Sequence, residues 1–222
     1  MTAHGFIIML LQKSISCLLF TLATLCFVST AFAAQPPLLI LLGPPFAGKT
    51  EQAQLIENNY GIPVVSVEAL LEENAQALAK LQHPGTPLSE MRYDPAMSRF
   101  LEAKLKTMNL SRGVVFDGYP VTNYQAEQLK NLLPSLGLLP LVLQLDVPDN
   151  VVQQRAVQAG QNAEQQKATE QRINDYHREF DGAAYYFPKA KIVKIDGTKP
   201  VSQVSAEIDA ALTAAGITRA RQ

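Results

Sequence analysis

The chain has 222 residues, 47% of them hydrophobic, and a formal net charge of −1. That length suits one α/β domain with a full-sized core, and with balanced charge and no Lys/Arg run no nucleic-acid partner is expected. The only cysteines, Cys17 and Cys26, lie near the N-terminus, so the rest of the chain can build no disulfide, cysteine metal site or cysteine nucleophile.

Residues 1–33 differ in kind from the rest of the chain. Lys13 is the only formal charge before Lys49, Ile15 to Val28 is largely apolar, and Ser29-Thr30-Ala31-Phe32-Ala33 supplies an A-x-A ending. This is the layout of a secretory signal peptide cut before Ala34. Export to the periplasm or the medium is therefore expected, with no membrane contact after cleavage. The alternative is an uncleaved leader that anchors the chain, because apolar Phe6 to Leu11 could lengthen the span toward the ~20 residues a bilayer needs. A monomer is expected.

From residue 34 onward the pattern predicts one domain. Leu38 to Leu42 is a continuous aliphatic run bounded by Pro and Gly, which predicts a strand buried on both faces of a parallel sheet. A helix follows over Lys49 to Asn59, closed by Gly61 as a left-handed cap. Ile62 to Val67 predicts a second strand. Glu68 to Leu81 predicts a single helix on the spacing of its leucines. His83-Pro84-Gly85 breaks it, and Pro95 opens another helix whose Met97, Phe100, Leu101 and Leu105 read as core. Gly113 to Pro120 holds the third strand and its turn, and Asn123 to Leu136 a helix. Leu141 to Asp146 is the fourth strand, Asp149 to Ala159 a helix, Glu164 to Tyr185 a longer one. Lys191 to Ile195 is the fifth strand, and a helix from Pro200 to Ala214 closes the chain. Strands alternating with helices predict a doubly wound, five-stranded parallel α/β sheet, with residues 68–110 as a helical insertion.

Gly43-Pro44-Pro45-Phe46-Ala47-Gly48-Lys49-Thr50 fits G-x-x-x-x-G-K-T, placed between a strand and a helix. This is the phosphate-binding loop of the P-loop nucleoside-triphosphate-binding fold. Gly43 and Gly48 let the backbone wrap an anion, and successive N–H groups point inward at the helix N-terminus. The Lys49 ammonium can reach the β- and γ-phosphates, and the Thr50 hydroxyl can ligate Mg²⁺.

Five further segments follow in order: Phe116-Asp117-Gly118-Tyr119-Pro120, Gln125-Ala126, Leu145-Asp146-Val147-Pro148-Asp149 with Arg155, Arg172-Ile173-Asn174-Asp175-Tyr176, and Asp196-Gly197-Thr198-Lys199-Pro200. With the loop, they make the chain resemble the adenylate kinase family of nucleoside monophosphate kinases. The resemblance implies phosphoryl transfer from ATP-Mg²⁺ to a nucleoside monophosphate. It implies catalytic roles for Lys49, Asp117 and Arg172, with Asp117 and Thr50 organising Mg²⁺. ATP would be held by Gly43, Pro44, Ala47, Gly48, Lys49 and Thr50, with Arg155 against the adenine and the Lys199 backbone at its edge. Gln125 would read the acceptor base.

The sequence departs from the family on the acceptor side. Where the family places a threonine and four arginines, this chain has Val67 and then Glu72, Val121, Ala159 and Gln161, and the lid expected between residues 159 and 161 is missing. Glu72 would repel a phosphate if it faced the site. Lys80, Arg92, Arg99 and Lys104 could substitute, although solvated helix faces are their simpler reading. The alternatives are therefore a nucleotide-binding or interaction module without turnover, or a nucleotide hydrolase with a site open to water.

Overall fold

The computed structural model describes residues 35–81, 91–180, 186–187 and 191–220. The leader, the His83-Pro84-Gly85 break and the end of the long helix at 181–185 lie outside the described residues.

Strand β1 (Pro37–Leu42) sits at the centre of a five-stranded sheet of order β2-β3-β1-β4-β5. The other strands are β2 (Val64–Ser66), β3 (Val114–Asp117), β4 (Leu139–Asp146) and β5 (Lys191–Asp196). All neighbours pair in parallel. The order reverses beside β1, so the loop leaving β1 opens at the C-terminal edge, where such sheets hold ligands.

The aliphatic run explains the two-sided core. Leu38 to Leu41 are fully buried. Because side chains alternate along a strand, Leu38, Ile40 and Leu42 join one core with Val114, Phe116 and Val142. Leu39 and Leu41 join the other, with Val115, Leu143 and Leu145. Each buried leucine contributes about 1.5–3 kcal/mol relative to exposure.

The helices are α1 (Lys49–Tyr60), α2 (Val67–Glu73), α3 (Ala75–Leu81), α4 (Ala96–Thr107), α5 (Asn123–Leu136), α6 (Asp149–Gln158), α7 (Ala163–Phe180) and α8 (Val201–Ala214). A 3₁₀ turn covers Met91–Tyr93. Helix α1 ends on left-handed Gly61, whose N–H bonds to the Glu57 carbonyl at 2.8 Å. Arg112 adds a forked contact to the Tyr60 carbonyl, from Nε at 3.0 Å and Nη2 at 2.5 Å.

The one helix expected over Glu68–Leu81 is two. Asn74 separates α2 from α3 at φ −113, and its side-chain amide donates to the Leu70 carbonyl at 2.8 Å. That local bond competes with helix continuation. Strand β2 is also shorter than expected, because the Ser66 hydroxyl accepts from Ala69 N–H and starts α2 there. Helices α6 and α7 are joined by residues 159–162 alone, a turn in which Gln161 N–H bonds to the Ala156 carbonyl. No lid is inserted at that point.

Candidate active site

The turn after β1 is built for close approach. Gly43 has φ +151, and a Cβ there would lie 2.8 Å from the Leu145 carbonyl oxygen. Gly48 has φ +90 and opens α1. Phe46 takes φ +59, a left-handed conformation uncommon for a bulky residue and a mark of local strain. Pro44 and Ala47 close the turn through Ala47 N–H to the Pro44 carbonyl at 3.3 Å. The Lys49 ammonium folds back into this loop, donating to the Gly43 carbonyl at 2.8 Å and the Pro44 carbonyl at 2.7 Å.

Asp117 ends β3, in register with Leu41 of β1, and so stands directly beside the loop. The Thr50 hydroxyl donates to its Oδ2 at 2.7 Å. Burial pushes the Asp117 carboxyl up, while the Thr50 hydrogen bond and the Lys49 charge pull it down. Burial brings Lys49 down to about 8; the Asp117 charge opposes that fall and the Arg172 charge adds to it.

These groups line a cleft of about 410 Å³. Arg172 enters it from α7, where burial and then the Arg92 charge make its guanidinium harder to charge than usual. Lys49, Thr50, Asp117 and Arg172 thus come together from α1, β3 and α7.

Arg155 lies on α6 and bridges two turns. Its Nη1 donates to the Phe46 carbonyl at 3.0 Å and its Nη2 to the Gly197 carbonyl at 2.7 Å. A planar guanidinium is thereby fixed beside the loop. The Lys199 side chain turns away to Glu207, 2.5 Å from its Oε1. Gln125 does not line the cleft. It is fully buried, its Oε1 accepting from Val121 N–H at 2.9 Å and its Nε2 donating to the Arg92 carbonyl at 2.7 Å. Both ends of the amide are thus engaged by backbone.

Two acceptor-side expectations change. Glu72 is exposed on α2 and does not face the cleft. The carboxylate of α2 that lines the cleft is Glu68, one helical turn earlier. Arg92, read as a solvated surface cation, is only 7% exposed and lines the cleft, with its Nη2 2.9 Å from Glu68 Oε1. Lys104 keeps the surface reading, paired with Glu73. No cue in the sequence marked Glu68, and Asp175 beside Arg172 stood in a family-like segment without a role; both line the cleft. Asp175 accepts from Gln171 and Arg178 and faces Tyr93, whose hydroxyl is pushed up by burial and then by the Asp175 charge.

The parallel sheet, the loop after its central strand and the Lys-Thr pair opening α1 define a P-loop nucleotide-binding protein. Comparison with known proteins narrows the class. The family model described as adenylate kinase matches residues 41–192. An adenylate kinase from Mesorhizobium japonicum is 30% identical over 196 residues, covering 82% of this chain and 99% of that protein. One from Phenylobacterium zucineum is 33% identical over 192 residues, covering 80% and 98%. One from Kosmotoga olearia is 38% identical over 121 residues, covering 53% and 56%. The chain belongs to the adenylate kinase family and is a phosphotransferase of nucleotides.

Proposed function

We propose that the protein transfers the γ-phosphoryl of ATP-Mg²⁺ to a nucleoside monophosphate. The observation that carries this reading is the convergence of Lys49, Thr50, Asp117 and Arg172 on one cleft at the mouth of the loop. Phosphoryl transfer needs little covalent chemistry from the protein. It needs alignment and positive charge around a loose, in-line transition state.

Each residue has a task in that scheme. Loop amides from Phe46 to Thr50 cradle the β-phosphate, as the helix N-terminus favours an anion. Lys49 leaves the Gly43 and Pro44 carbonyls to meet the β- and γ-oxygens. Arg172 stands on the far side of the transferred group and takes up charge as the bond to the leaving oxygen lengthens. Arg155, held flat by two carbonyls, offers a face for the adenine, and the backbone at Lys199 borders its edge. The Thr50–Asp117 pair fits Mg²⁺, which takes one or two protein oxygens and keeps waters and phosphate oxygens as its other ligands. When bound, the ion neutralises phosphate charge.

Residues 1–33 complete the proposal as an export signal removed before Ala34. Strand β1 begins at Pro37, so the central strand lies wholly downstream of that cut. N-terminal sequencing of the protein from an expressing cell tests it; a first residue of Met1 would refute cleavage.

The decisive assay follows ADP formation by the purified protein with ATP-Mg²⁺, with and without AMP, CMP, GMP or UMP. Acceptor-dependent turnover, lost in Lys49→Ala, is expected. ATP binding without turnover would refute transfer in favour of a binding module, and ADP release independent of acceptor would refute it in favour of hydrolysis.

A further inference from the structure

The family's acceptor-side cations are gone from their expected places, and the structure accounts for each position. Val67 is buried in the core, Glu72 faces solvent, Val121 lines the cleft as an apolar wall, Ala159 is exposed in the α6–α7 turn, and Gln161 is tied to Thr169 at 2.8 Å. None offers charge to a phosphate. A cation reaches the same cleft by another route. Arg92, on the 3₁₀ turn Met91–Tyr93, is more than nine-tenths buried and faces the cleft. It lies close enough to Arg172 for its charge to act on that guanidinium, and both line the cleft. Such proximity is costly in a buried wall unless an anion stands between them. Among the described residues, Glu68 supplies an anion bonded to Arg92, at 2.9 Å.

The two partners of that pair are unequal. The Glu68 side chain is 53% exposed, whereas that of Arg92 is 9% exposed. Glu68 can turn into water at small cost, while Arg92 is fixed by its surroundings. Its own carbonyl is also held, by the Gln125 amide at 2.7 Å. Resting on the reading of this cleft as a phosphotransfer site, we propose that Arg92 binds the phosphate of the acceptor nucleotide in exchange for Glu68, replacing from a new position the arginines the family pattern lacks. A phosphate dianion brings more charge and more acceptor oxygens to the guanidinium fork than one carboxylate does. Arg172 then borders both the acceptor phosphate and the γ-phosphoryl. Glu68 acts as the resting counter-ion, holding Arg92 aimed while the acceptor is absent.

This makes a prediction that a purely structural ion pair does not. Removing the arginine and removing the carboxylate should act in opposite directions. Binding of AMP, CMP, GMP and UMP to the purified protein is measured by calorimetry for wild type, Arg92→Gln, Arg92→Lys, Glu68→Gln and the surface control Arg99→Gln, with adenosine as the phosphate-free probe. Monophosphate affinity should fall about 10- to 150-fold in Arg92→Gln, the range for a lost charged hydrogen-bonding partner. It should fall less in Arg92→Lys, rise several-fold in Glu68→Gln and stay unchanged in Arg99→Gln. Adenosine affinity should not respond to Arg92→Gln, and ATP-Mg²⁺ affinity should stay within about threefold in all variants, which also reports that they fold. If Arg92→Gln is unstable, the Glu68→Gln and Arg92→Lys pair still decides the matter. Equal weakening by Arg92 and Glu68 substitutions would overturn the proposal, as would monophosphate affinity unchanged in Arg92→Gln. Turnover with an unaltered acceptor KM in Arg92→Gln would overturn this inference and leave phosphoryl transfer standing. Opposite-signed binding effects without turnover would support this inference and refute transfer.

Discussion

ATP binding should be linked to the protonation of Lys49, and the size of the effect is set by its surroundings. Burial lowers this ammonium to about 8, and the Arg172 charge adds to the fall. A polyphosphate in the loop supplies negative charge beside it, which restores the charged form in the complex. A ligand that prefers the protonated lysine binds best below the free protein's value and loses affinity as pH rises through it. At pH 7 about nine-tenths of the free protein carries the proton, and at pH 9 about one-tenth. Affinity for ATP-Mg²⁺ should therefore drop roughly tenfold between those values, or about 1.4 kcal/mol. The phosphates do not confuse the result, because phosphate second ionisations lie near pH 6. Calorimetry in buffers of different ionisation enthalpy should show uptake of about half a proton at pH 8. Lys49→Arg should remove the dependence, since arginine stays charged throughout. A wild-type affinity flat from pH 7 to 9, or an equal slope in Lys49→Arg, would refute the reasoning.

Other outcomes rest on single contacts. Thr50→Val keeps the shape of the side chain and removes the hydroxyl on Asp117; Mg²⁺ stimulation of ATP affinity should fall about tenfold in a titration of the ion, while metal-free binding holds. Arg155→Lys can reach only one of the Phe46 and Gly197 carbonyls, and affinity for ATP and for ADP should fall by similar factors, about tenfold, in equilibrium binding. Gly43→Ala brings a Cβ to 2.8 Å from the Leu145 carbonyl at φ +151, and urea unfolding should show a loss of more than about 2 kcal/mol. Arg112→Ala frees the Tyr60 carbonyl at the end of α1 and should cost about 1–2 kcal/mol in the same assay, with ATP affinity unchanged.

Local chemistry made the ATP side of the cleft readable in the sequence. The aliphatic run, the two glycines and Lys49-Thr50 are contiguous, and Asp117 ends a strand whose register with β1 sets it beside the loop. The acceptor side was not readable in this way. Arg92 and Glu68 are separated by 24 positions and meet only because the helices between β2 and β3 fold back on the sheet. Nothing in the local pattern around either residue distinguishes them from surface charges. Gln125 shows how packing adds contacts that the order of motifs does not announce. Its place in a familiar order suggested a ligand contact, and three-dimensional packing gave its amide two backbone partners. At Asn74 the cue was present, an amide side chain in mid-helix, but the leucine spacing on either side outweighed it.

The twin grip of Arg155 ties the first crossing of the sheet to the last. Through one side chain, the turn leaving β1 shares an anchor with the turn leaving β5. Two distant stretches of chain thus behave as parts of one mechanical circuit: loosening the C-terminal turn would slacken the phosphate loop, though the two lie some 150 positions apart. Changes near Gly197 should accordingly register in nucleotide affinity before they register in overall stability.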